Sequence, residues 1–330
     1  MPRGMCTCCL VGVAVTILLL SHPVPAFATG AEAEEAAAGD SGPTAPWWFW
    51  PLSLFVLCLV LGVVAVLAGV GGGVLYVPIV SGFFPIHLDF VRGTGLLVAL
   101  AGALAAGPGL LRRNLASLRL TLPVALIAST SSIAGALLGL YLSALDPNII
   151  RICLGGTITG IAVLFVVSGR SGDAAAVRAD SVGAALRLSG VYWDYGMKQR
   201  VEWRTHRTMP GLLLFIVIGL LAGMFGLGAG WANVPVLNLV MGVPLKVSIA
   251  TSKFLLSITD TSAAWIYINR GCVIPLVTVP SVLGLMLGSF LGVKLLTIAR
   301  PKLIRYMVIG VLFFAGLKSI DKGLGLGLLG

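Results

Sequence analysis

Apolar positions dominate this chain in long runs, over approximately residues 51–84, 90–108, 119–143, 148–168, 209–241, 247–268, 272–297 and 303–320. About 20 residues of helix cross a hydrocarbon layer roughly 30 Å thick, and each run reaches or approaches that length. None shows the period-2 alternation of a half-exposed strand. Lipid offers no partner for backbone N–H and C=O groups, so such segments must be helical. The pattern predicts an all-α polytopic membrane protein. Its polar intervals are an exterior acidic linker at 29–50, which ends in the boundary-like cluster Pro46-Trp-Trp-Phe-Trp-Pro51, and a basic loop at 169–208. Residues 1–28 carry Arg3, an apolar run from Leu10 to Leu20, and small residues at Ala26 and Ala28. They read either as a signal peptide cut after Ala28 or as a first transmembrane helix, and both place the linker outside.

The central loop divides two matching halves, transmembrane repeat 1 at 51–168 and transmembrane repeat 2 at 209–330. Gly69-Val-Gly-Gly-Gly-Val-Leu-Tyr-Val-Pro78 recurs 157 residues later as Gly226-Leu-Gly-Ala-Gly-Trp-Ala-Asn-Val-Pro235. Arg113-Asn114 and Pro123 recur as Arg270-Gly271 and Pro280 at the same spacing. Gly135, Gly139, Pro147 and Arg151 pair with Gly288, Gly292, Pro301 and Arg305 at 153 to 154. Carriers built from two repeats leave this signature.

Charge then sets the orientation. If segments 51–84 and 209–241 each fold back at their glycines as re-entrant hairpins, three full crossings remain per half. Fourteen loop basic residues (Arg112, Arg113, Arg119, seven in the central loop, Lys246, Arg300, Lys302 and Arg305) then lie inside, and five (Arg92, Arg151, Arg270, Lys318 and Lys322) lie outside. Single crossings instead put thirteen outside and six inside, against the positive-inside bias. Three crossings per half place the repeats in opposite orientation, with the central loop cytoplasmic in a cell (cytoplasmic) membrane.

At 58% hydrophobic and 10% charged residues, with a mean hydropathy of +1.04, the chain takes lipid as its solvent. The net charge of +10 resides mainly in loops and reports orientation rather than nucleic-acid binding. Six cysteines show no metal-ligand spacing, and no Gly-x-x-x-x-Gly-Lys or His-Glu-x-x-His motif is present, which points to no cofactor, no metal and no enzyme.

Four groups of residues carry candidate chemistry. The glycine breaks, Gly71, Gly72 and Gly73 and then Gly228 and Gly230, free backbone amides that lipid does not tolerate unless they line a cavity or meet a solute. The helix N-termini that follow them favour an anion. Asn233 follows the second break, placed either to bond substrate or to join helices. Segment 247–268 sets Lys253 and Asp260 on one helix face about 10 Å apart. Lys253, with Thr251 and Ser252, suits an anion, and Asp260 either holds Lys253 or accepts a coupling proton. In the first half Arg92-Gly-Thr-Gly95 takes the place of Ala250-Thr-Ser-Lys253, which adds Arg92 and Thr94. Gly135 with Gly139, and Gly284, Gly288 and Gly292, have the four-residue spacing of helix packing.

Leu67-Ala-Gly-Val-Gly-Gly-Gly-Val-Leu-Tyr-Val-Pro78, Leu221-Ala-Gly-Met-Phe-Gly-Leu-Gly-Ala-Gly230 with Val234-Pro235, and Ile249-Ala-Thr-Ser252 ahead of Asn269-Arg-Gly271 resemble the sulfite exporter TauE/SafE (TSUP) family over Pro51 to Ile320. The resemblance implies a secondary transporter of sulfur-containing oxyanions such as sulfite, thiosulfate, sulfonates or sulfoacetate, coupled to a proton or sodium gradient. A channel, a sensor or an intramembrane enzyme are the alternatives. Arg92-Gly-Thr and the 40-residue loop depart from the family pattern. Val191-Tyr-Trp-Asp-Tyr195 in that loop, with its basic neighbours, suits an anionic lipid surface or a cytoplasmic partner.

Overall fold

The structure is a computed structural model that describes residues 48–68, 71–84, 86–111, 117–167, 180–185, 188–194, 199–295 and 301–324. The leader at 1–28, most of the acidic linker, Gly69 and the Arg113-Asn114 pair lie outside the described residues. The helices are α1 (Phe49–Ala68), α2 (Gly72–Phe83), α3 (Leu88–Leu111), α4 (Leu118–Leu145), α5 (Pro147–Val167), α6 (Ser181–Ala185), α7 (Thr208–Phe225), α8 (Gly230–Pro235), α9 (Leu245–Asn269), α10 (Pro275–Leu295) and α11 (Pro301–Leu324). A π-helical stretch, Val236–Val240, continues α8 past Pro235, which has no N–H for the α-helical ladder. Among the described residues six helices, α1, α3, α4, α5, α7 and α10, are long and apolar enough to cross a membrane. The expected polytopic all-α membrane protein is therefore what the chain forms.

Both glycine-interrupted segments turn back. Trp50 at the start of α1 and Phe84 at the end of α2 bring their rings within 5.9 Å. In the second half the His206 N–H donates to the Met241 carbonyl at 3.1 Å, and Gly211 lies against the Met241 side chain. Each hairpin thus begins and ends at one level. Its arms are unequal, because α1 has 20 residues and α2 has 12. At about 1.5 Å per residue the longer arm spans about 30 Å by itself. Val66 lies against Gly292 whereas Gly72 already lies against Leu285, so the short arm starts well down the long one.

Glycines set the helix directions. Gly284 faces Phe55 and Cys58, Gly288 faces Leu59 and Gly62, and Gly292 faces Val63 and Val66, so α1 and α10 run parallel. Gly135 on Leu220 and Gly139 on Met224 make α4 and α7 parallel in the same way. These are the positions assigned to packing, where a missing side chain lets backbones touch. By contrast Gly155 faces Gly316 and Ile320 while Gly323 faces Ile152, and Ser319 Oγ donates to the Arg151 carbonyl at 3.0 Å. Helices α5 and α11 therefore run in opposite directions. So do α3 and α9, where Gly93 meets Tyr267 and Ala103 clusters with Leu256.

These contacts correct the repeat register. Gly135 faces Leu220 and Gly292 faces Val63, residues that are themselves 157 apart, so Gly135 corresponds to Gly292 rather than to Gly288. Gly62 on Leu285 and Gly219 on Ala128 keep the same interval. The slip to 154 falls later, ahead of Pro147 and Pro301, which open α5 and α11. Local spacing between glycines cannot reveal this, because a ladder repeating every four residues matches itself when shifted by four.

The central segment holds an antiparallel pair not expected from the sequence, β1 (Ser189–Asp194) and β2 (Gln199–Arg204), beside α6. Asp180 ties it to the membrane helices by accepting the Gly183 N–H, the Thr208 N–H and the Thr208 hydroxyl, each at 2.8 Å. Slight burial disfavours the Asp180 charge, but these donors outweigh it and hold the carboxyl below its ordinary value of 3.8. Its stabilisation is therefore complete above that value and lost as pH falls through the lower folded-state pKa. Asp180→Ala is expected to speed tryptic cleavage at Arg204 and Arg207 at least threefold at neutral pH with helical circular dichroism unchanged. Wild-type protein is expected to gain peptic sensitivity in the same segment only below about pH 3.8.

Candidate functional site

The two hairpin tips meet. Helix α7 stops at Gly226, whose φ of +68° only glycine adopts without strain, and Gly228 at +69° completes the turn into α8. Helix α2 begins at Gly72 behind an extended Gly71, and neither short arm has a side-chain cap. A Cβ on Gly230 would stand 3.2 Å from the Gly71 Cα. One on Gly73 would reach the Leu227 and Gly95 carbonyl oxygens at 2.7 and 2.8 Å, and one on Gly95 would reach the Gly226 carbonyl at 2.7 Å. The candidate glycines are therefore close-packed tip to tip, with α3 alongside.

Polar side chains converge at the second tip. Asp260, fully buried on α9, lies where a Cβ on Gly228 would meet its Oδ2 at 2.8 Å, and Thr259 Oγ1 approaches its Oδ1 at 3.5 Å. Oδ2 has no hydrogen-bond partner among the described residues. The Ala229 carbonyl accepts the Asn233 N–H at 3.2 Å. The Asn233 side chain is 0% exposed, and neither its amide oxygen nor its nitrogen has a hydrogen-bond partner among the described residues. Trp231 Nε1 is likewise buried and unbonded. Lys253, two turns before Asp260, is its electrostatic partner but makes no contact ion pair with it among the described residues. An unsatisfied buried amide costs about 1–3 kcal/mol, so a cluster of such groups calls for an explanation.

Thr251 and Ser252 are buried immediately before Lys253 on α9, where Thr251 Oγ1 accepts the Ser117 N–H at 3.2 Å and keeps its own proton to donate. Thr94 is committed elsewhere, 2.9 Å from Thr278 Oγ1. The Arg92 side chain points elsewhere, although its backbone lies at the second tip, where a Cβ on Gly226 would meet it. It is 0% exposed, paired at 3.1 Å with Asp89 and stacked over the Tyr267 ring at 5.7 Å. Tyr267 and Ser143 complete that network, the first donating to the Gly223 carbonyl at 3.0 Å and the second to Asp89 at 3.0 Å.

Applying the 157-residue register across the tips shows what the sequence reading missed. Gly73 meets Ala99 as Gly230 meets Leu256, so Arg92-Gly-Thr-Gly95 aligns with Ile249-Ala-Thr-Ser252, one residue earlier than read from the motif. Thr94 then corresponds to Thr251, Thr278 to Thr121, Tyr76 to Asn233 and Ser281 to Val124. In the first half the Tyr76 hydroxyl lies 3.3 Å from Ser281 Oγ, and the cluster closes on itself. In the second half Asn233 faces no such partner. Leu96 and Ala103 stand where Lys253 and Asp260 stand, so both charges belong to one half. The signal for Tyr76 and Ser281 was present in the sequence but required the contact-derived register.

A polytopic helical protein whose broken hairpins meet around buried polar groups has the build of a membrane transporter. The chain belongs to the sulfite exporter TauE/SafE family, whose model matches residues 54–319. It is similar to the probable membrane transporter protein YunE of Bacillus subtilis (strain 168), at 24% identity over 279 residues that cover 82% of this chain and 97% of the relative. No solved structure matches it. The family and the relative are transporters, in agreement with the reading of the chain as a carrier and not an enzyme.

Two glycines of equal strain separate geometry from function. Gly228 and Gly271 have φ of +69° and +70°, but a Cβ at Gly228 meets Asp260 and Ala99 whereas one at Gly271 meets nothing. Each change to alanine costs about 1 kcal/mol in backbone strain. Gly228→Ala is expected to lower transport at least tenfold and Gly271→Ala less than twofold, measured as solute flux in proteoliposomes.

Proposed function

We propose that the chain is a secondary transporter of small sulfur-containing oxyanions, of the sulfite, thiosulfate, sulfonate or sulfoacetate class, and that it works by alternating access between two inverted repeats. The observation that carries this reading is the fully buried Asn233 amide, without a hydrogen-bond partner among the described residues, on α8, which packs against α9, the helix that carries Lys253 and Thr251. An oxyanion with three or more acceptor oxygens takes the Asn233 amide N–H, the Thr251 hydroxyl and the Lys253 ammonium, with backbone amides of Gly72, Gly73 and Gly230 at the helix starts. Ser252 lies beside Thr251 on the same turn and extends the donor set. Thr94 and Arg92 serve the frame of the site, through Thr278 and Asp89. The opposed directions of α3 against α9 and of α5 against α11 support inversion of the repeats, as does the fold-back of both hairpins.

In this arrangement the central segment is cytoplasmic and the loop after α9 is exterior. An epitope placed at residues 171–177 is expected to be reached by antibody only after permeabilisation, and labelling of intact cells there would reject the orientation. Counter-flow of labelled sulfite, thiosulfate, sulfate and methanesulfonate in proteoliposomes tests the substrate class. Trans-stimulated uptake of at least one of the three sulfur anions other than sulfate is expected, and Lys253→Ala is expected to reduce its kcat/KM at least tenfold. Normal transport by that variant would remove Lys253 from the site.

A further inference from the structure

We propose that Asp260 carries a proton together with the anion, so that the chain is a proton–anion symporter whose site is charge-neutral both empty and loaded. The inference rests on the anion reading above and adds the coupling ion and the residue that binds it. Three observations point to it. Asp260 is 0% exposed and its Oδ2 has no hydrogen-bond partner, although a buried carboxylate normally fills its acceptor capacity. A Cβ on Gly228 would meet that oxygen at 2.8 Å, so the carboxylate lies at the turn that opens α8, the short helix that carries the unbonded Asn233 amide. Among the described residues Lys253 is the cation that acts on it electrostatically.

The remaining charged groups around Asp260 are otherwise engaged. On its own helix Lys253 lies two turns before it and Tyr267 two turns after. On α3, Arg92 and Asp89 neutralise one another. On α4, Arg119 and Tyr141 lie towards the helix ends. The hairpin tip from Gly226 to Gly230 has no titratable side chain. With Lys253 positive and Asp260 ionised the empty site is neutral. A monoanion entering it would stand beside a second negative charge, and at about 5 Å with an effective dielectric of about 20 that repulsion exceeds RT several-fold. Protonation of Asp260 removes the repulsion and turns Oδ2 from an idle acceptor into a hydrogen-bond donor to the anion. The loaded site, with ammonium, carboxylic acid and anion, is again neutral. Sodium would need several more oxygen ligands than Asp260 and Asn233 offer among the described residues.

Methanesulfonate is a suitable probe because it stays a monoanion across the tested pH range. Full-length protein in proteoliposomes with a trapped pH dye is expected to acidify the lumen when external methanesulfonate is added, with no response to a sodium gradient. Labelled methanesulfonate should accumulate at least tenfold under an acid-outside pH gradient and ignore an imposed membrane potential. Its exchange should fall at least tenfold from pH 5.5 to pH 8 in wild type and change less than twofold in Asp260→Asn, whatever the variant's rate. Methanesulfonate exchange without proton movement, or accumulation driven by sodium, overturns the symport while leaving the anion reading intact. Absence of exchange for methanesulfonate, sulfite and thiosulfate alike overturns the anion reading and the symport with it. If the Asn variant is inactive, the wild-type dye response decides.

Discussion

A peptide group in hydrocarbon has nowhere to send its hydrogen bond, and a helix that stops halfway across a bilayer leaves up to four N–H or C=O groups in that position. This chain interrupts a helix at depth twice. The fold is the set of contacts that make those interruptions tolerable, because each tip is buried against the other, at the Gly71–Gly230 approach, and against α3 at Gly95. Close approach of that kind requires the Cβ to be missing on both sides. The same need explains the parallel pairs α1 with α10 and α4 with α7, in which each long hairpin arm is clasped by a glycine- or serine-lined helix of the opposite half. Neither half can bury its own broken hairpin alone, so the two halves fold as one body.

That frame keeps one 157-residue register as far as Gly135 in α4 and Gly292 in α10, and its chemistry does not. Tyr76 and Asn233 occupy one position of the shared register, yet Tyr76 reaches Ser281 while Asn233 reaches nothing. Lys253 and Asp260 answer to Leu96 and Ala103. A symmetric scaffold gives a carrier two equivalent conformations, since exchanging the roles of the halves leaves the packing unchanged. A solute recognised by a single polar set needs that set only once. Under the proposed alternating access, a self-satisfied Tyr76–Ser281 pair at the first-half position leaves one polar set rather than two.

Most of the scaffold was legible in the sequence, because lipid imposes a coarse rule that apolar length obeys directly. The breaks at Gly71–Gly73 and Gly226–Gly230 were visible as glycine clusters, and their fold-back followed from the distribution of arginine and lysine. The exact register was not, since Gly135 and Gly139 form a four-residue ladder that matches Gly288 and Gly292 as well as it does the true positions. The β1–β2 pair was missed because short strands beside aromatic and basic residues look like any surface loop when membrane segments dominate the pattern. At the site, the sequence singled out Lys253 and Asp260 by their depth alone. It placed Arg92 among them by motif position, and in the tertiary structure Asp89, three residues earlier on the same helix, pairs with the guanidinium at 3.1 Å.

The polarity of α9 bears on why such a site persists. This helix has 25 residues and carries both deep charges, and it falls outside the set apolar enough to cross by hydropathy. A lysine or aspartate at the centre of a lone membrane helix costs about 2.5–3.5 kcal/mol on insertion scales. Here the cost is moderated by burying Asp260 at the Gly228 turn and within the field of Lys253, on a helix packed against α3 and α4. A purely structural pair would gain more by direct contact, and hydrophobic residues of similar volume would often hold the helices as well. The two charges are instead kept apart along one face with an unbonded amide nearby. That separation forgoes stability, and under the proposed symport a small anion and a proton enter beside the two charges without changing the net charge of the site.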